Sequence, residues 1–88
     1  MTDDQLLVEC KKGLNIPVDS TAFDLLLKQK LLAVKMFMTN AGVSADRMDN
    51  ELAVGVMVMG VTDLWELKSG EVKFSPAFFT LVTQLSMG

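Results

Sequence analysis

The sequence predicts an all-α fold, a small four-helix domain with a short first helix and two long apolar central helices. Three observations support this prediction. Apolar residues recur at helical spacing in each long segment. Capping residues precede these segments and helix-ending residues follow them, and no second strong strand is present to pair with the most apolar run. At 88 residues, the chain is expected to form a single domain over residues 1–88.

The first helix is expected at residues 3–12. Thr2 lies three residues before Gln5, which is the spacing of a capping box. Gly13 follows the segment and is a common helix-ending residue. The apolar residues that share the inner face of this helix are Leu6, Leu7 and Cys10.

The second helix is expected at residues 21–40. Ser20 or Thr21 precedes its first apolar residue as a candidate N-cap, and Gly42 follows it as a helix-ending residue. At about 100° per residue, one apolar stripe of this helix is expected to face the core. The stripe consists of Phe23, Leu27, Leu31, Val34 and Met38.

A second apolar row lies on the same helix. Leu25, Leu32 and Met36 are separated from the core stripe by charged residues that include Lys28. Such a row either packs against a neighbouring element of the same subunit or contacts another subunit. On the second interpretation the three residues form an oligomer or partner interface. Trp65 is the expected anchor, because aromatic residues are enriched among those that dominate interface energies.

The most apolar segment, ELAVGVMVMGVTDLWEL at residues 51–67, has no charge over residues 52–62. A membrane span needs about 20 predominantly apolar residues, so this run is too short. A buried strand would need partner strands, which the chain does not offer. We therefore predict a buried helix over residues 50–68, after the polar connection VSADRMDN and with Asp49 or Asn50 as its cap.

The last helix is expected at residues 76–86. Ser75 is its predicted N-cap, and Pro76 occupies the first helical position, where proline is favoured. Its predicted inner face is formed by Phe78, Leu81, Val82 and Leu85. Across the whole domain, the residues expected to be buried in the core are Leu27, Val34, Val56, Val61, Leu64, Phe78 and Leu81.

The amino-acid composition argues against nucleic-acid binding, metal binding and catalysis. Eight Lys and Arg against eleven Asp and Glu give a net charge of −3, and the scattered basic residues form no phosphate-binding stripe. Lys11 and Lys12 are interpreted as helix-end residues that the helix dipole favours. There is no histidine, and the single Cys10 is expected to be a core residue of a protein in a reducing cytoplasm. We therefore expect no catalytic residue, no metal or cofactor site, and no enzymatic activity.

Four motifs follow one another in the chain. They are KKGLNI, LLLKQKLLAVKMFMTNAGV, DLWELKSG and, at residues 69–86, SGEVKFSPAFFTLVTQLS. In their order and spacing, the chain resembles the small head-tail connector (adaptor) proteins of tailed bacteriophages, often labelled DNA-packaging proteins. The resemblance covers nearly the whole chain. One departure concerns the end of the third helix, where relatives often have a Tyr and an Arg and this chain has Trp65 and Lys68. Lysine does not reproduce the bidentate contacts of arginine.

The resemblance implies a structural subunit of the virion head–tail junction, assembled in the cytoplasm of the bacterial host. Such subunits form a homo-oligomeric ring at the portal vertex of a phage or prophage particle. The implied partners are other copies of the chain, the portal protein, and the tail or a second adaptor. DNA would pass through the ring without specific binding, and the negative charge balance suits such a channel. No membrane and no cofactor are implied.

Alternative functions come from other classes of protein. Acyl carriers are small acidic helical domains with a modified serine at a helix start, and Ser20 follows Asp19 near such a start. A helix-turn-helix DNA-binding protein needs a basic recognition helix, and the apolar helices here offer only Lys28, Lys30 and Lys35. A generic helical protein-interaction module is the remaining alternative.

Overall fold

The computed structural model describes residues 2–65 and 73–87 of the chain. These residues contain α-helices and no strand, which confirms the predicted all-α class. The described helices are α1 (Asp3–Gly13), α2 (Asp24–Asn40), α3 (Ala45–Met48), α4 (Glu51–Trp65) and α5 (Pro76–Met87). The one-turn helix α3 lies in the segment expected to be a polar connection, so the described chain has five helices where four were predicted. Residues 66–68 of the predicted third helix lie outside the described residues.

Helix α4 is the centre of the fold. It contacts each of the other four described helices, whereas α2 packs mainly on α1 and α4. Its buried residues are Ala53, Val54, Val56, Met57, Gly60, Val61 and Leu64. At Gly60 an added Cβ would lie 2.6 Å from the Phe78 ring and 3.0 Å from both Val34 methyl groups. Glycine at this position lets α2 and α5 pack closely on α4.

Two predicted N-caps begin their helices as the sequence indicates. The Thr2 hydroxyl accepts a hydrogen bond from the Gln5 backbone N–H at 3.2 Å, and the Gln5 side chain accepts one from the Thr2 N–H at 2.8 Å. This reciprocal pair is the predicted capping box. At the start of α4, Asn50 Oδ1 accepts a hydrogen bond from the Ala53 N–H at 2.7 Å.

Helix α5 is held at both ends by residues from distant parts of the chain. The predicted cap is confirmed, because Ser75 Oγ accepts a hydrogen bond from the Phe78 N–H at 3.3 Å. In addition, Asp63 Oδ2 accepts hydrogen bonds from the N–H and the hydroxyl of Ser75, at 3.0 and 2.9 Å. At the other end, Arg47 Nη1 donates to the carbonyl of Leu85 at 2.7 Å. These two side chains join α4 and α3 to α5.

Helix α1 ends later than predicted, because Gly13 is still helical. Asn15 takes the left-handed conformation, with a φ of 59°, and ends the helix. The Ile16 N–H then bonds to the Lys11 carbonyl at 2.9 Å, which closes the last turn. Gly13 serves close packing instead, since an added Cβ would lie 2.6 Å from Val58 Cγ1 of α4.

Helix α2 begins three residues later than predicted, at Asp24. Phe23 occupies the N-cap position and makes no side-chain cap bond, so the expected capping by Ser20 or Thr21 is wrong. The Ser20 carbonyl instead accepts a hydrogen bond from Lys11 Nζ at 2.8 Å, which holds this segment in a non-helical path. Phe23, expected in the core stripe, precedes the helix and is 45% exposed.

The predicted core is confirmed with one exception. The predicted residues that are buried are Leu27, Val34, Val56, Val61, Leu64 and Phe78. Leu81 is only partly buried, because it lies at the edge of the α5 face whose buried residues are Phe78, Val82 and Leu85. Four phenylalanines extend this core between α2 and α5, with Phe74 and Phe78 stacked at a ring-centroid distance of 4.3 Å.

Candidate interaction surface

The second apolar row of α2 lies on the outside of the subunit. Leu25, Leu32 and Met36 are 73, 59 and 57% exposed. At about 100° per residue they fall within a narrow sector of the helix, opposite the residues that face α4. No element within residues 2–65 and 73–87 covers them. The structure therefore does not support packing of the row inside the described subunit.

A shallow groove with charged walls borders this row. It lies between the start of α1 and α2 and is lined by Asp3, Asp4, Lys28, Leu31, Leu32 and Lys35. Lys35 Nζ forms an exposed ion pair with Asp3 Oδ1, which connects the start of α1 to α2. The hydrogen bond from Lys35 and its positive charge hold the pKa of Asp3 below its ordinary value. Leu32 thus belongs both to the apolar row and to the charged groove.

Trp65 does not lie in the row. It is partly buried against the core at the end of α4. Its ring meets the edge of Phe23 at a centroid distance of 5.7 Å and an interplanar angle of 81°. This contact lies just before the start of α2, two residues from Leu25. The role of Trp65 as an interface anchor stays a prediction, and Lys68 lies outside the described residues.

Lys11 has a role that sequence reasoning missed. Only 4% of the residue is exposed, and its Nζ lies 2.7 Å from Asp24 Oδ1. The same nitrogen donates hydrogen bonds to the carbonyls of Val18 at 3.2 Å and Ser20 at 2.8 Å. Lys11 therefore holds the α1–α2 segment against the helices and is not simply a helix-end residue. The one sequence signal is its position four residues after Leu7, on the buried face of α1.

The chemistry available on the described surface is limited. Cys10 is buried, as predicted, and desolvation together with the charge of Glu9 raises its pKa to about 11. A protonated buried thiol is a poor nucleophile. Among the described residues, no cluster of His, Cys, Asp or Glu could hold a metal ion. No helix in the same ranges is both long and apolar enough to cross a membrane.

The chain was also compared with protein-family models, curated proteins and solved structures. None of them matches it. Within the described residues, the exposed row on α2 is the feature that indicates a function most directly. Three large apolar side chains on one helix face, beside a well-packed core, are typical of a protein-interaction surface.

Proposed function

We propose that this protein is a structural subunit that forms a ring with other copies of itself at the head–tail junction of a bacteriophage or prophage particle. The observation that carries the ring is the exposed row of Leu25, Leu32 and Met36. The phage setting rests on the order of sequence motifs in the chain. In this proposal the protein has no enzymatic activity and uses no cofactor.

The size of the row suits part of an interface. A stable protein interface buries about 800 Å² on each partner, which is more than three side chains supply. Leu26 of α2 is 43% exposed but lies about 100° around the helix from Leu25, so other parts of the subunit must supply the remaining area. Apolar side chains at the centre of a contact, with charged residues such as Lys28 at its edge, match the usual anatomy of interfaces.

The proposal assigns different tasks to the two long helices. We retain the expectation of two long apolar helices, with α4 forming the core of the subunit and α2 presenting the contact surface. A ring requires a heterologous contact, in which one patch meets a different patch on the neighbour. The portal protein on one side and the tail or a second adaptor on the other would bind the rims of the ring. DNA would pass through without specific binding, because a net charge of −3 does not favour phosphate contacts.

The test is the replacement of Leu32 by Glu. Size-exclusion chromatography with light scattering would measure assembly, for the protein alone and with the portal protein of the same phage. A circular dichroism melt would report folding. Gln84→Glu is the matched control, because it adds one negative charge at an exposed position on α5.

We expect Leu32→Glu to lose assembly with a melting temperature close to wild type, and Gln84→Glu to assemble normally. A stable Leu32→Glu protein that assembles normally would remove the row from the interface. A wild-type protein that stays monomeric both alone and with the portal protein would refute the ring.

The carrier alternative has less support. Ser20 is partly buried and lies four residues before the start of α2, not at its first turn. Its carbonyl is held by Lys11, which limits movement of the segment. We expect an unchanged intact mass after expression with a phosphopantetheinyl transferase, and a mass increase at Ser20 would favour the carrier function instead.

A further inference from the structure

A second exposed surface lies on the outer side of α4. Glu51, Leu52 and Gly55 are exposed there, and Met59 and Thr62, one and two turns further on, are partly buried. Leu52 is 51% exposed. The central helix is therefore covered by the described residues on most of its circumference but not on this side.

Gly55 is not explained by packing inside the subunit. At Gly13 and Gly60 an added Cβ would clash at 2.6 Å with a neighbouring side chain, so both glycines serve close packing. At Gly55 no atom lies within 4 Å of the position of an added Cβ. A glycine inside a helix destabilises it relative to alanine. Gly55 therefore lowers the stability of α4 without allowing any closer packing between the described helices.

The α4 surface and the α2 row point in opposite directions. Gly60 faces Val34 of α2, and Gly55 lies five residues earlier, which places it about 140° around the helix. The row of α2 is on the side of that helix away from α4. The two surfaces are therefore on opposite sides of the subunit. A head-to-tail ring contact requires such a placement, because each copy must use one surface toward each neighbour.

We propose that the outer side of α4, centred on Gly55, receives the Leu25, Leu32 and Met36 row of the next copy. This inference rests on the proposed ring. The absence of a side chain at Gly55 leaves space for a large residue such as Leu32 and lets the two helices approach closely. Charges at the two edges are opposite in sign, with Lys28 beside the row and Glu51 on the α4 surface.

The experiment uses Gly55→Arg to block the α4 surface and Leu32→Glu to block the row. Gly55→Ala is the control, since it adds only a small side chain. Because alanine and arginine are better helix formers than glycine, we expect both Gly55 variants to melt at or above the wild-type temperature. We expect Gly55→Arg alone to stay monomeric.

The decisive measurement is light scattering on a mixture of the two blocked variants. Leu32→Glu retains the α4 surface and Gly55→Arg retains the row, so the mixture should form a 1:1 complex and nothing larger. Normal assembly of Gly55→Arg would overturn this inference, while the proposed ring would survive if Leu32→Glu still failed to assemble. A Gly55→Arg protein that fails to assemble but forms no complex with Leu32→Glu would also overturn it, because another partner would then cover Gly55.

Discussion

Replacement of Lys11 by Ala tests whether a buried ion pair holds the segment between α1 and α2. The change removes the ammonium group that lies 2.7 Å from Asp24 Oδ1. It also leaves the carbonyls of Val18 and Ser20 without the hydrogen bonds that Lys11 donates. We expect loss of this contact to release residues 14–23 and to destabilise the whole domain.

The magnitude follows from burial. Removing one partner of a buried ion pair costs about 3–5 kcal/mol, because the remaining charge is left without compensation. The Asp24 side chain is still 28% exposed, so water compensates part of this loss, and we expect about 3 kcal/mol. A domain of this size has a total stability of about 4–13 kcal/mol. The melting temperature should fall by more than about 10 °C.

Lys12→Ala is the control, because it changes the same residue type at the next position of the same helix. The Lys12 side chain is 60% exposed and lies 3.7 Å from Glu9. An exposed pair of this kind contributes at most about 1 kcal/mol. The assay is a circular dichroism melt of both variants at one protein concentration. Equal melting temperatures for the two variants would refute the assigned role of Lys11.

Three further predictions concern the core and the helix ends. Leu64→Ala should destabilise the domain by about 2–5 kcal/mol in urea, and a midpoint unchanged from wild type would contradict the burial of Leu64. Cys10 should react with iodoacetamide only on unfolding. Since burial raises its pKa from 9.0 to about 11, the unfolded state loses the thiol proton first. Stability should therefore fall between pH 9 and 11 by up to about 1.4 kcal/mol per pH unit relative to a Cys10→Ala variant, and parallel profiles would disprove this. Asp63→Ala should lower stability by about 1–2 kcal/mol, because it leaves the Ser75 N–H unpaired, whereas Asp46→Ala at an exposed position should have little effect.

The helix ends that were predicted from sequence depend on residues within one turn of each other. Thr2 and Gln5 form a capping box, and Asn50 begins α4. At the other boundaries, Ser75 begins α5, and Gly42 follows α2 with a φ of 101°. In each case, the signal and the structure that it specifies lie in the same short segment, so the sequence alone is sufficient.

The features that were missed depend on partners distant in sequence. Ser20 looks like a cap, but its carbonyl is held by Lys11, nine residues away, and α2 begins later. Arg47 reaches the Leu85 carbonyl across 38 residues, a contact that no local pattern indicates. Lys11 and Lys12 are adjacent in sequence, and only the packing of α1 against the other helices determines that Lys11 is the buried one.

The exposure of the candidate site was partly foreseeable. Helical spacing placed Leu25, Leu32 and Met36 on one side of α2, away from the core stripe. The sequence left open whether another element of the subunit covers them, because this depends on the directions of α1 and of the other helices. The lack of a packing role for Gly55 appears only when the space around it is compared with that around Gly13 and Gly60.

Trp65 gives the protein a single optical reporter. The chain contains one tryptophan and no tyrosine, so nearly all of its intrinsic fluorescence originates from one indole. That indole meets Phe23 where the segment held by Lys11 joins α2. Its emission therefore reports on this joint, the contact between Phe23 and Trp65. In an assembly of identical copies, every fluorophore would occupy the same position, so a spectral change during assembly could be assigned to this joint without any added label.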